Sequence, residues 1–208
     1  MEEERREGEG ALREMGIENS ECRVQNSEIM GGYALVVPGA NFGGSKCWDM
    51  GRFVRVCEGL AEPVESGGRF GVKVVVVGSG REMGICEAIA AGVRESLRGR
   101  VMVLGRVNGG KGVSVGGLKE VVRGARVMVC NDTGPRHMAA ALGVPVVTIF
   151  GPTDPAWAET YFEGERIVRA EPFPACGPCQ LKVCPIDHRC MAGVTVESVM
   201  KAVGEVWR

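Results

Sequence analysis

Five short runs recur along the chain, each dominated by valine and its apolar neighbours: YALVV (33–37), VKVVVV (72–77), VMVL (101–104), VMVC (127–130) and VPVVTIF (144–150). A strand with one wet face alternates apolar and polar residues. These runs are apolar almost throughout, so both of their faces must be covered. Helical stretches fall between them, at about 48–60, 82–97, 115–124 and 135–142; in the second, Cys86, Ile89, Ala90, Val93 and Leu97 share one face. Strand and helix in strict alternation predict an α/β fold, a Rossmann-like parallel sheet with helices on both faces. Crossovers should be right-handed, and a ligand should sit at the carboxyl ends of the strands.

Length and composition set the frame. At 208 residues there is room for one good domain, or one and a small annex. A formal net charge of −1 argues against a nucleic-acid partner, which calls for a basic excess. No apolar run approaches the roughly 18 residues of a membrane span, and the charged start MEEERREGEG is not a signal peptide, so a cytoplasmic protein is expected. Residues 1–30 read as a polar, linker-like lead or a frayed helix, because Gly8, Gly10 and Gly16 interrupt any helical pattern. The domain proper is expected over 31–208. Glycine is abundant, at 32 residues, and Gly116, Gly117 and Gly124 fall inside a stretch that otherwise reads as helix. Each costs about 1 kcal/mol relative to alanine there. They read as a composition bias that leaves the domain marginally stable. Beyond Gly151-Pro152 the pattern loosens into a helix over 155–162, a short strand over 166–169, a cysteine-rich irregular loop over 172–191 and a final helix over 195–207. Thr195 is its expected N-cap, and Val196, Val199, Met200, Val203 and Trp207 line one face.

The segment NDTGPRHMAAALGVPVVTIFGPTD (131–154) carries the most chemistry. Asp132, Thr133 and Gly134 make a turn after a buried strand. Pro135 suits the first turn of a helix, and Gly143 stops that helix. Free N–H groups and the positive end of the helix dipole suit a phosphate, and the Thr133 hydroxyl and the His137 imidazole extend the polar cluster.

Four stretches in order resemble the motifs of the bacterial heptosyltransferase family, glycosyltransferase family 9, which uses ADP-heptose in building the lipopolysaccharide inner core. They are VPGANFGGSKCWDMGRF (37–53), VVVVGSGRE (74–82), the 131–154 segment and CGPCQLKVCPIDHRCM (176–191). The last is similar to the heptosyltransferase II branch, and the resemblance covers about residues 30–208. It implies the C-terminal, donor-binding domain of a GT-B glycosyltransferase. Carried over by motif, Lys46 meets the diphosphate and offsets charge on the leaving ADP. Thr133 and Gly134 donate N–H bonds to phosphate, His137 adds a hydrogen bond, and Asp132 positions the turn or meets a sugar hydroxyl. Val113 packs on adenine and Glu82 reaches a ribose hydroxyl. Asp49 and Cys47 depart from the family pattern, at positions that would not touch phosphate. The resemblance further implies a lipid-linked core oligosaccharide as acceptor, and hence a place peripheral to the inner membrane.

Family members are about twice as long, with an N-terminal domain that supplies the acceptor groove and a carboxylate base. Nothing in residues 1–30 replaces it, since Glu2, Glu3 and Glu4 read as a solvated tail. The general base is therefore expected in a missing domain or partner chain, and the apolar face of the last helix (Val199, Val203, Trp207) is expected to be left uncovered. Two readings follow: the donor half of a transferase, or a non-catalytic ADP-sugar-binding domain. A dinucleotide oxidoreductase is disfavoured. Gly84 is one position late for the fingerprint opened by Gly78 and Gly80, and the strand VMVLG runs into Arg106 rather than an acidic residue.

Of nine cysteines, Cys22, Cys47, Cys57, Cys86 and Cys130 are scattered, and most read as small buried apolar residues. Cys176, Cys179, Cys184 and Cys190 cluster with spacings of two, four and five residues. Three states stay open for the cluster: a tetrahedral zinc held by four thiolates, free thiols, or disulfides.

Overall fold

The computed structural model describes residues 1–17, 24–25, 28–29, 32–40 and 42–207. Six strands build one parallel sheet: β1 (Tyr33–Val37), β2 (Lys73–Val76), β3 (Val101–Val103), β4 (Val127–Asn131), β5 (Val146–Ile149) and β6 (Glu165–Val168). Their spatial order is β3-β2-β1-β4-β5-β6. The chain thus winds outward from β1 to one edge, returns to lie beside β1 as β4, and winds out to the other. The loops that follow β1 and β4 diverge, which opens a crevice at the carboxyl ends of these two strands. Ala34 is flanked by Val74 on one side and Val127 on the other.

Alternation within β1 explains the unbroken apolar runs. Ala34 and Val36 enter one core, with Phe53, Val56 and Leu60 of α2 (Met50–Ala61), Ile89 of α3 (Met83–Gly92) and Val199 and Val203 of α6 (Val196–Val206). Tyr33, Leu35 and Val37 enter the other, with Val121 and Val122 of α4 (Val115–Arg123) and Ala139 of α5 (Gly134–Ala141). Each fully buried valine or leucine contributes about 1.5–3 kcal/mol, and no strand position can be polar without losing it.

Three expectations need correction. First, the lead is not a linker. Residues Glu2–Glu14 form α1, and Ala11, Leu12 and Ile17 are buried in the second core. Gly8 does not break this helix; it lies where α1 crosses α4. A Cβ there would stand 2.7 Å from Glu120 Cβ and 2.8 Å from the Gly117 carbonyl oxygen. Gly117 has the same role from the other side, so these glycines serve close packing and are not a mere bias of composition. Second, the stretch 155–162 holds only a 3₁₀ turn, Pro155–Ala158. The Ala158 carbonyl is taken by Arg136 at 2.7 Å, and Tyr161 sits at φ 54°, so a helix cannot propagate. Third, α6 is covered. Its face packs on β5, β6 and α2, leaving Val199 and Val203 fully buried, and Trp207 closes on Phe70 with ring centroids 4.6 Å apart. Thr195 caps it as expected, accepting the Ser198 N–H at 3.1 Å. No helix among the described residues is long and apolar enough to cross a membrane.

Candidate functional site

Asn131, the last residue of β4, is fully buried and fastens the crevice. Its amide donates to the Pro38 carbonyl at 2.6 Å, and its Oδ1 accepts the Trp48 N–H at 3.2 Å. One side chain therefore ties both ends of the loop after β1 to β4. Trp48 in turn donates its indole N–H to the Val194 carbonyl at 3.1 Å. Asp49, a departure from the family pattern, caps α2 by accepting the Arg52 N–H at 3.0 Å. Lys46 ends a 3₁₀ turn inside this pinned loop, and its ammonium donates to Asp132 Oδ2. The two side chains are only 12% and 9% exposed, so solvent weakens the pair little.

Asp132 is the first of a chain of partners leading into the sheet edge. It accepts the Thr153 hydroxyl at 3.1 Å, and Arg136 Nη1 lies 3.5 Å from its other oxygen. Arg136 is fully buried, stacks over Phe150 at 4.9 Å and forks onto Glu165 at 2.6 and 3.1 Å. Glu165 also accepts the hydroxyls of Thr148 and Thr160, each at 2.5 Å. Burial alone would raise the Glu165 carboxyl, yet the bonds from Arg136, Thr148 and Thr160 hold it below its ordinary value. Lys46, Asp132, Arg136 and Glu165 alternate in sign. Such alternation is what buried charges require, since an unpaired one would cost several kcal/mol.

Beside this chain stands the N-terminus of α5. Thr133 is its N-cap in extended backbone, φ −148° and ψ 167°, and its side chain does not close the cap. Gly134 is exposed with open space at its missing Cβ, and His137 is exposed one turn further on. The helix start is open to an anion. Across the crevice, Glu82 accepts the Ser79 N–H at 2.8 Å and the Ser79 hydroxyl at 2.7 Å. It lies so close to Gly39 that a Cβ there would come within 1.8 Å of Oε1. Val113 is half-buried in a pocket of about 160 Å³ at the ends of β2 and β3, walled by Val77, Met83, Leu104 and Leu118. Lys46 and Asp132 are thus in contact, Thr133 and Gly134 follow them, Glu82 stands against the β1 loop, and Val113 belongs to an adjoining pocket of mixed polar and apolar lining. No hydrogen bond or ion pair joins the His137 side chain to the others, one turn along α5 from Thr133.

Several participants escaped sequence reasoning: Asn131, Arg136, Thr153 and the 181–182 segment. Ser45, 1% exposed, donates its hydroxyl to the Leu181 carbonyl and its N–H to the Lys182 carbonyl at 3.2 Å. The ammoniums of Lys46 and Lys182 lie 4.7 and 6.0 Å from the Phe42 ring centroid, giving the loop a second nearby cation. Asn131 had a local signal, a polar residue closing an apolar run. The others depend on partners far along the chain.

The cysteine-rich loop contains thiols without disulfides. Cys176 is exposed, Cys179 and Cys184 are half-buried and Cys190 is buried. Burial, and then the neighbouring thiols of Cys179, Cys184 and Cys176, push the Cys190 thiol up. Cys184 Sγ accepts the His188 N–H at 3.3 Å. Among the described residues, no three His, Cys, Asp or Glu side chains form a group that could hold a metal ion.

The sequence profile of glycosyltransferase family 9 (heptosyltransferase) matches residues 9–189. Lipooligosaccharide heptosyltransferase 2 of Campylobacter jejuni subsp. jejuni serotype O:2 is 28% identical over 167 residues, covering 79% of this chain and 47% of that protein. The solved structure of Escherichia coli ADP-heptose LPS heptosyltransferase II superposes with a TM-score of 0.71 at 19% identity, over 96% of this chain and 50% of that one. The E. coli heptosyltransferase WaaC with ADP-2-deoxy-2-fluoro heptose gives 0.60 at 23% identity, over 84% and 43%. The α/β sheet with its helices matches these GT-B glycosyltransferase neighbours, and the chain spans about half the length of the relatives it matches.

Proposed function

The chain belongs to glycosyltransferase family 9, the heptosyltransferases, and from that membership we propose that its residues hold the ADP-sugar donor, ADP-heptose first, for a transferase acting on a lipid-linked lipopolysaccharide core. The observation that carries this reading is the Lys46–Asp132 pair set beside the open N-terminus of α5, at the crevice between β1 and β4. A neighbour solved with an ADP-heptose analogue supports the choice of ligand.

In this reading adenine enters the pocket against Val113, and the Oε1 atom of Glu82 faces a ribose hydroxyl. The diphosphate lies across the N–H groups of Thr133 and Gly134, with His137 adding a donor. Before ligand arrives, the four charges from Lys46 to Glu165 sum to zero. Attraction therefore begins with the helix dipole and the free N–H groups, and Lys46 then turns from Asp132 toward phosphate. Its ammonium would offset the charge that develops on ADP as the glycosidic bond breaks. Asp132 stays fixed by Thr153 and Arg136 while Lys46 moves, free to accept a sugar hydroxyl. A second domain or chain would supply the acceptor groove and the base, at a membrane-peripheral site where a lipid-linked acceptor is found.

Calorimetric titration with ADP, UDP and GDP tests the reading. ADP should bind tightest, as family membership and the neighbour solved with an ADP-heptose analogue imply. Absence of ADP binding, or a preference for UDP or GDP, would overturn it.

A further inference from the structure

Loop 107–114, between β3 and α4, forms one wall of the Val113 pocket, contributing Gly110, Lys111, Gly112 and Val113. Its backbone follows a largely left-handed path. Asn108, Gly109, Gly110 and Gly112 sit at φ 55°, 67°, 87° and 68°. The internal ties are an Asn108 side-chain bond to the Gly112 carbonyl at 2.8 Å, the Gly112 N–H to the Val107 carbonyl at 3.1 Å, and the Lys111 N–H to that same carbonyl. Both ends are fastened in addition from α1. Glu14 Oε2 accepts the Asn108 N–H at 3.0 Å. Glu7 Oε1 accepts the Ser114 N–H at 2.8 Å, and its other oxygen takes the Ser114 hydroxyl. Ser114 is the N-cap of α4, so the Glu7 carboxylate also meets the positive end of that helix.

The spacing is what makes the arrangement work. Glu7 and Glu14 are two helical turns apart and share one face of α1. That face reaches the loop because Gly8 lets the two helices close to backbone contact. We infer that Glu7 and Glu14 are positioning residues for the nucleoside pocket: α1 sets the wall against which the base stacks, and so sets nucleotide affinity. The inference rests on the donor reading above. Neither carboxylate touches the ligand; each acts through a backbone N–H of the loop.

The test uses the full chain with Glu7→Gln, Glu14→Gln and the double variant, and Glu3→Gln, exposed on the same helix, as control. Amide exchange without ligand should quicken about tenfold at 108–114 in the double variant while 44–47 and 132–134 stay unchanged, the mark of local release rather than general loosening. If the released wall holds its binding position about a tenth of the time, the Kd for ADP rises about tenfold. The control should match wild type in both. Should the double variant fail to fold, the single variants each release one end of the loop and should give a smaller loss in the same direction. Unchanged exchange at 108–114, exchange that rises over the whole chain, or unchanged ADP affinity in variants of a wild type that binds ADP would each overturn the inference. A wild type that binds no ADP would overturn the donor reading, and this inference with it.

Discussion

Lys46 is committed to Asp132 before any ligand arrives, and this decides how its removal should read out. In Lys46→Ala, Asp132 keeps the Thr153 hydroxyl and the nearby Arg136 guanidinium, so the fold should survive. ADP would lose one charged hydrogen bond, about 1.5–3 kcal/mol, which is roughly a 10- to 150-fold rise in Kd by calorimetry. Equal affinity in variant and wild type would take Lys46 out of the site. Glu165 should behave in the opposite way, affecting stability. Glu165→Gln takes from the fully buried Arg136 its bidentate counter-charge and leaves only Asp132, which Lys46 shares, at a cost of about 3–5 kcal/mol in denaturant unfolding. The carboxyl is held below its ordinary 4.5, so folding favours the ionised form. That stabilisation is complete above the ordinary value and fades as pH falls through the lowered one. Wild-type stability should therefore drop more steeply below pH 4.5 than that of the variant. Parallel pH curves for the two proteins would contradict this account of Glu165.

Among the elements, what could be read from sequence was set by local pattern, and what could not was set by distant partners. The strand 33–37 matches β1 residue for residue, because a run buried on both faces has only one composition. The strand expected at 166–169 appears one residue earlier, at Glu165–Val168, because Glu165 carries the ladder inward to meet Arg136. The turn that opens α5 was legible, since Thr133, Gly134 and Pro135 are all local signals. Arg136 was not, since its partner is 29 residues away. For α1 the glycines misled, because Gly8 reads as a helix breaker until α4 is seen against it. The cysteines divide in the same way. Cys57 on α2, Cys86 on α3 and Cys130 on β4 are buried within elements; burial pushes Cys86 and Cys130 to about 12, and Cys57 higher still. Alkylation of the native chain at pH 8 should mark Cys176 first and leave these three unmodified until denaturant is added, as read by peptide mass spectrometry. Early labelling of Cys57 would mean that the α2 face opens without global unfolding.

For the whole molecule the decisive question is turnover. In the proposed reading the described residues bind the donor and place a cation at the leaving group, and the chain spans about half the length of its matched relatives. Inverting transfer also needs a base to take the acceptor proton and a groove to align the acceptor. The carboxylates nearest the crevice are already engaged: Asp132 by Lys46, Glu82 by Ser79, and Glu165 by Arg136, Thr148 and Thr160. On α1, Glu7 is bonded to Ser114 and Glu14 to the Asn108 N–H, while Glu2 and Glu9 pair with Arg6 and Arg5. General-base help is worth about 10²- to 10⁴-fold, and alignment can add more. These 208 residues alone should thus bind ADP-heptose and transfer no sugar, with slow hydrolysis by water as the only ADP release. Mixing the purified chain with ADP-heptose and a lipid-linked core acceptor, and following ADP release and product mass, checks this directly. Adding a chain that carries an acceptor domain should restore transfer in Lys46-dependent fashion. Robust transfer by the chain alone would mean that a base lies within it. His137, exposed and with no hydrogen bond or ion pair to the charge chain, would then be the first residue to replace.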